Sequence, residues 1–395
     1  NNHSILNWKA AQPLFGYTAE GSEIADLTID GTSKLTAKAI AADEYVATLV
    51  GVCNGTLRNC SNMAAVTLDV TATVDGACGV GGLVGLVGAT GRVESCSNGG
   101  LVSLGSGVVC NDLSIGGVVA RTEAGAVLTG CVNEGSVASS GATPANKKYS
   151  LYTGGVVGYA GGPVENCSTE GDRSVALKIT AAYMSYTGGI VGWADDAVTG
   201  CTNKQPVSIT ANRQQNGKES CRYAYAGGIV GKVAGTLSGC KNRGDISAPA
   251  VCTFLIMGGI AGSSNNAVSD IINAAQITLS GNPGGESGVL KEGYYGPRYA
   301  YVGGIVGQLL INGSVSGNGD TTNSGAISIE QMEFYTDTKN NLGSIIAVGG
   351  IAGQHYGKIS STVNSGEIDI AAPSSGTPAW NFHALGGIAG LIGEF

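Results

Sequence analysis

The chain has 395 residues, of which 66 are glycine, 43% are hydrophobic and only 13% are charged, with a formal net charge of −8. That much apolar surface excludes a disordered chain, and nine prolines without a Gly-X-Y period exclude a collagen helix. The 21 Lys and Arg are scattered, so the basic footprint of a nucleic-acid binder is absent, and no run of 18 or more apolar residues is present to form a transmembrane helix.

The first residues, NNHSILNWKA, lack Met and a charged-then-apolar leader, as expected of a processed product whose export signal has been removed. From there one motif recurs along the chain. It appears as QPLFG from 12 and ATLVG from 47, then as GGLVG from 81, GGVVA from 116, GGVVG from 154 and GGIVG from 188 and 227. It continues as GGIAG from 258, GGIVG from 303 and GGIAG from 349 and 386. The intervals average about 37 residues, within the range of solenoid repeats. One repeat domain over 1–395 is therefore expected, with units starting near 12, 47, 81, 116, 154, 188, 227, 258, 303, 349 and 386.

Within each unit a second element follows, as in GTLRNCSN from 55, GRVESCSN from 91 and AVTGCTN from 197, and a third closes it, as in PVSIT from 206 and GEIDI from 366. Short β-branched runs bounded by Gly, Asn or Ser read as strands. The stretch between the third element and the next glycine pair varies most in length, up to the run at 281–300. Insertions of this kind map to loops on one face. The expected fold is all-β, a parallel β-helix of about eleven rungs with three short strands per rung. At ~4.8 Å per rung it makes a rod roughly 50 Å long. A propeller fits less well, because its blades carry four strands and number about 4 to 8.

In a coil with one unit per rung, equal slots stack. The Cys of the second element (Cys60, Cys96, Cys131, Cys167, Cys201, Cys240) gives way to Ile271 and Thr362, which marks it as a small buried filler. No Cys-x-x-Cys pair accompanies it and the three His fall off its rungs, so neither a metal nor a cofactor is expected. An odd count of 11 Cys leaves at least one thiol unpaired within the chain.

Two residues further stands Asn (Asn62, Asn98, Asn133, Asn203, Asn242, Asn273, Asn323, Asn364), with Thr169 the exception. Asn suits a left-handed, strand-ending turn, and stacked amides can bond rung to rung. The glycine cores lack the Lys-Ser/Thr of a phosphate loop and read as tight bends or close backbone approaches.

Aromatic residues also share slots. Tyr152, Tyr186, Tyr225 and Tyr301 stand two residues before a glycine pair, Tyr149 and Tyr183 three residues earlier, and Tyr159 and Trp193 just after the motif. These eight are the candidate ligand-binding residues. The double glycine leaves strand phase open, so their rings face either solvent or core.

The GG[IVL][VA]G cores at 81, 116, 154, 188, 227, 258, 303, 349 and 386 resemble the GLUG-motif repeat family of exported bacterial surface proteins, many from gut Bacteroidetes and some described as adhesins. Ala120 replaces the last glycine of the second core. The resemblance covers most of residues 12–395. It implies a secreted or cell-surface stalk or binding array, and brings no catalytic residues. Some members carry a metallopeptidase, but no His-Glu-x-x-His stretch occurs in this chain.

The leading functional expectation is a non-catalytic interaction protein, outside the cell or on its surface, that presents loops and aromatic stacks to host or bacterial glycans or glycoproteins. A passive spacer for another domain is the second reading. A polysaccharide lyase or hydrolase is the third, and it lacks recurring Asp, Arg or Lys in equal slots. Asp195 and Asp196 are consecutive and read as a solvated turn.

Overall fold

The computed structural model describes residues 3–105, 107–140, 149–179, 182–211, 221–249, 252–280, 299–317, 319–330, 345–371 and 382–393. One rung shows the plan of all. Its strands are Ala182–Gly188 (sheet I), Val191–Ala194 (sheet II), Val198–Thr199 (sheet III), Thr202–Asn203 (sheet IV) and Val207–Ala211 (sheet V). Among the described residues the five sheets hold 10, 11, 10, 11 and 11 strands in this order. Neighbouring strands in each sheet come from successive rungs and run parallel, so Tyr152 faces Tyr186, which faces Tyr225, and Val157 faces Val191, which faces Val230. The molecule is a parallel β-helix, as the repeat length predicts.

The three strands expected per rung are five. The element around the double glycine is two strands with a corner between them, Ala182–Gly188 and Val191–Ala194. The second element is likewise broken at the residue before the Cys. That residue takes a left-handed conformation at Asn59, Ser95, Gly130, Asn166, Gly200, Gly239, Asp270 and Ser361, with φ from 52° to 67°. Gly, Asn, Asp and Ser fill this slot because Gly has no Cβ to clash and the others carry a short polar side chain. The turn thus falls three residues ahead of the Asn to which the sequence assigns it. The Asn itself sits in a sheet IV strand.

Two apolar cores run the length of the coil. Sheets II, III and IV enclose one, with Val191, Val198 and Cys201 among its members. Sheets V and I enclose the other, with Val207, Ile209 and Ala224. Between them the rung is pinched. A Cβ on Gly189 would lie 2.1 Å from the Gly228 carbonyl oxygen and 2.4 Å from the Asn203 side-chain carbon. The second glycine of the pair is therefore a close-approach residue, packed against the Asn of its own rung.

That Asn is fully satisfied although buried. Asn203 Nδ2 donates to Asn242 Oδ1 at 2.8 Å and to the Gln205 carbonyl at 2.9 Å. Its Oδ1 accepts from Gln205 N at 3.1 Å and from the Thr169 hydroxyl. Two donors and two acceptor sites are thereby used, which removes the desolvation penalty of a buried amide. The amide-to-amide bond repeats from Asn62 to Asn98 to Asn133, and from Asn203 through Asn242, Asn273 and Asn323 to Asn364. Thr169 interrupts the series, and Gln205 spans the gap. Its buried amide reaches back to the carbonyls of Glu170 at 2.8 Å and Gly135 at 3.3 Å.

The Cys ladder lies in the first core. Cys60, Cys96, Cys131, Cys167, Cys201 and Cys240 are buried and unbridged. Each thiol points at a carbonyl two residues back, as Cys96 does to Glu94 at 3.3 Å and Cys240 to Ser238 at 3.3 Å. Hydrogen bonds with neighbouring thiols, then burial, hold Cys96, Cys167 and Cys240 above the ordinary cysteine range, so these thiols stay neutral. A disulfide joins Cys78 to Cys110 between adjacent sheet I strands, with Cα atoms 6.2 Å apart. The slot of Cys110, six residues before a glycine pair, holds Cys again at Cys221 and Cys252, but Cys78 stands three residues before its own pair, so the sequence pattern does not announce the bridge.

The variable stretches lie between a sheet V strand and the next sheet I strand. The longest falls between Ser280 and Tyr299, and its interior lies outside the described residues.

Candidate binding surface

The corner at the glycine pair turns the outer faces of sheets I and II toward each other. Its third glycine makes this possible, since a Cβ on Gly192 would lie 2.4 Å from the Gly158 carbonyl oxygen and 2.8 Å from Thr153 N. Along the sheet I wall, Tyr152, Tyr186 and Tyr225 occupy one slot in three successive rungs. Alternation along the strand fixes their side, because Ala224 and Ala226 belong to the inner core and Tyr225 between them points the other way. Along the sheet II wall, Arg121, Tyr159, Trp193, Lys232, Ser263, Gln308 and Gln354 occupy one slot in seven.

Rings fill the angle between the walls. Tyr186 stacks on Tyr152 at 5.5 Å and on Tyr225 at 4.9 Å, with interplanar angles of 12° and 16°. Trp193 meets Tyr186 edge to face at 4.7 Å, and Tyr159 meets Tyr152 in the same manner at 5.2 Å. Such offset and perpendicular pairs contribute about 0.5–1.5 kcal/mol each beyond area burial. Asp195 clamps the sheet II rings, accepting from the Tyr159 hydroxyl and from Trp193 Nε1 at 2.6 Å. Asp196, its neighbour, accepts from Ala197 N at 2.7 Å in an exposed turn. Both acids lie in the exposed turn expected of them, and Asp195 in addition holds the aromatic rings.

Two cations cap the rings. The Arg121 guanidinium carbon lies 3.9 Å above the Tyr159 ring, and Lys232 Nζ lies 4.7 Å from the Trp193 centroid and 5.6 Å from that of Tyr225. Burial pushes Tyr152 and Tyr225 up to about 12. Burial also raises Tyr159, with Asp195 adding to it, and Tyr186. The four phenols therefore stay neutral across the physiological range and keep their capacity to donate.

Five of the eight expected residues are gathered in this cluster: Tyr152, Tyr159, Tyr186, Trp193 and Tyr225. Exposure divides them. Tyr186 is 2% exposed and Tyr152 9%, whereas Tyr159, Trp193 and Tyr225 are half-buried and offer ring surface to solvent. Tyr301, 7% exposed, continues the Tyr slot beyond Ile256. Tyr183 is half-buried beside Tyr223 at 5.7 Å. Tyr149, also half-buried, precedes its strand, and its carbonyl accepts from Met184 N at 3.3 Å.

A second aromatic stripe went unread in the sequence. Tyr223, Phe254 and Tyr299 stack at 4.6 Å per step on the outer side of sheet I, all half-buried. Its signal was present, two residues before Tyr225, Ile256 and Tyr301, where strand alternation puts a side chain on the same face. Lys232 also stands in the slot of Tyr159 and Trp193, which a search for rings alone passes over.

Among the described residues no group of three or more His, Cys, Asp or Glu gathers to hold a metal ion, and no helix is long and apolar enough to cross a membrane. Comparison with protein-family models, with curated proteins and with solved structures finds no match to this chain.

Proposed function

We propose that this chain is a non-catalytic interaction protein, secreted or displayed on a bacterial cell surface, that binds saccharides along the aromatic faces of its coil. The observation that carries the reading is two partly exposed rows of rings on the outer side of the coil, Tyr159, Trp193 and Tyr225 in one and Tyr223, Phe254 and Tyr299 in the other. Rigid rings with a polar rim suit the apolar face and hydroxyl edge of a sugar, and they lose little conformational freedom on binding. Stacking over successive rungs gives a repeating row, which matches a repeating polymer. The Cys78–Cys110 disulfide supports an oxidising compartment, consistent with the resemblance to GLUG-motif surface proteins. A hydrolytic role gains no support from Asp195, whose carboxylate is occupied by Tyr159 and Trp193.

A glycan array probed with the purified chain, then with the double variant Tyr159→Ala/Trp193→Ala, tests the proposal. Both rings are half-buried on the outer wall, so the variant should keep its far-ultraviolet circular dichroism. It should bind the retained saccharides at least about tenfold more weakly, equivalent to about 1.4 kcal/mol. If the wild type retains no saccharide, the passive-spacer reading replaces this one.

A further inference from the structure

We propose that the groove between sheets I and II contains an anionic subsite centred on Lys232, which takes the carboxylate of a hexuronic-acid unit while the face of that sugar lies against Trp193. This rests on the saccharide reading and names its substrate class. Lys232 stands in register between Trp193 and Ser263. Its ammonium is half-buried beside two rings, 4.7 Å from Trp193 and 5.6 Å from Tyr225.

A buried cation ordinarily has a carboxylate partner. Among the described residues the ion pairs are Lys38–Asp69, Arg58–Glu23 and Lys204–Glu170, and none involves Lys232. Asp195 is turned to the neighbouring rings instead. Burial accordingly lowers the pKa of Lys232, with no acid offsetting it.

The next residue in the row is also polar. Ser263 is wholly buried and its hydroxyl has no hydrogen-bond partner. It shares that state with Ser114, Ser139, Thr153, Thr187 and Gln205 among the described residues, so it marks the row as polar and does not by itself point to a ligand. Beyond it, Gln308 donates to Gln354 at 2.8 Å. An ammonium without a carboxylate partner thus adjoins an aromatic face. A carboxylate in a partly desolvated site forms a charge-assisted hydrogen bond with the ammonium, stronger than a neutral one. The adjacent Trp193 and Tyr225 rings favour a sugar as the bearer of that carboxylate over a flexible acidic chain.

Calorimetric titration of the full chain with a galacturonic-acid trimer, its methyl ester and a tetraglutamate peptide tests the assignment. The wild type should bind the acid trimer about tenfold more tightly than the ester at low salt, and the preference should shrink as salt screens the charge. Lys232→Gln should bind acid and ester alike, and Lys232→Arg should restore the preference, which separates loss of charge from loss of fold. Equal binding of acid and ester by the wild type, or a preference that survives in Lys232→Gln, overturns the subsite and leaves the saccharide reading standing. Binding of neither trimer overturns the subsite, and the glycan array then decides the saccharide reading separately. Tighter binding of the peptide than of the acid trimer overturns the assignment of a sugar.

Discussion

Gly189→Ala should destabilise the coil by about 3 kcal/mol, the upper end of ordinary overpacking, because one added methyl has nowhere to go. Its Cβ would stand 2.1 Å from a backbone oxygen of the next rung and 2.4 Å from the Asn203 side chain. Neither neighbour yields cheaply, since the oxygen belongs to the corner backbone held between the strands Cys221–Gly227 and Val230–Val233 and the amide to a hydrogen-bonded ladder. Gly16→Ala is the matched control. It lies in a sheet II strand, Phe15–Thr18, with φ outside the positive region and nothing within 4 Å of the added carbon. There the same methyl should be neutral or slightly stabilising through the unfolded state. Urea midpoints compare the two directly. Similar losses at both positions would show that the glycine pair is not a close-approach corner.

Cys167→Asp should cost several kcal/mol at pH 7, because the slot is lined by core residues and offers no cation. An unpaired buried carboxylate has a folded-state pKa above its unfolded value near 3.9. The folded form then holds its proton more tightly. The penalty is full above the raised pKa and shrinks as pH falls through it, so the deficit against wild type should be smaller at pH 5 than at pH 7. Cys167→Ala removes the thiol and introduces no charge, and should cost less, with no such pH dependence. A deficit below about 1 kcal/mol for Cys167→Asp at pH 7 would place this ladder at the surface.

The coil and its ladders were legible because one sequence unit equals one rung, so residues with the same role recur at the same place. Ile271 in a Cys slot was enough to mark that slot as packing, and it is wholly buried. Amide bonding between rungs followed from the repeated Asn. The strand count was not legible. Corners at Gly189 and at the left-handed Gly200 interrupt strands without interrupting the run of β-branched residues around them.

The fate of the tyrosines was hidden for a different reason. Alternation tells which side of a sheet a residue takes, and Tyr186 does lie outside the inner cores. It is nevertheless buried, because a concave corner brings sheet II and Trp193 over it. Sequence period cannot distinguish a concave outer face from an open one. The Cys78–Cys110 bridge escaped similarly, as a feature made once in a chain whose signal lies in repetition.

The proposal that the outer aromatic face is the saccharide site places Trp193 against bound sugar, and Trp193 is one of three tryptophans, with Trp8 and Trp380. A Trp8→Phe/Trp380→Phe variant leaves it as the sole indole reporter. Titrated with the strongest ligand from the glycan array, its emission should change saturably, along the same isotherm that calorimetry gives. Saturable heat of binding with unchanged Trp193 emission would contradict the proposal and move the site elsewhere on the coil.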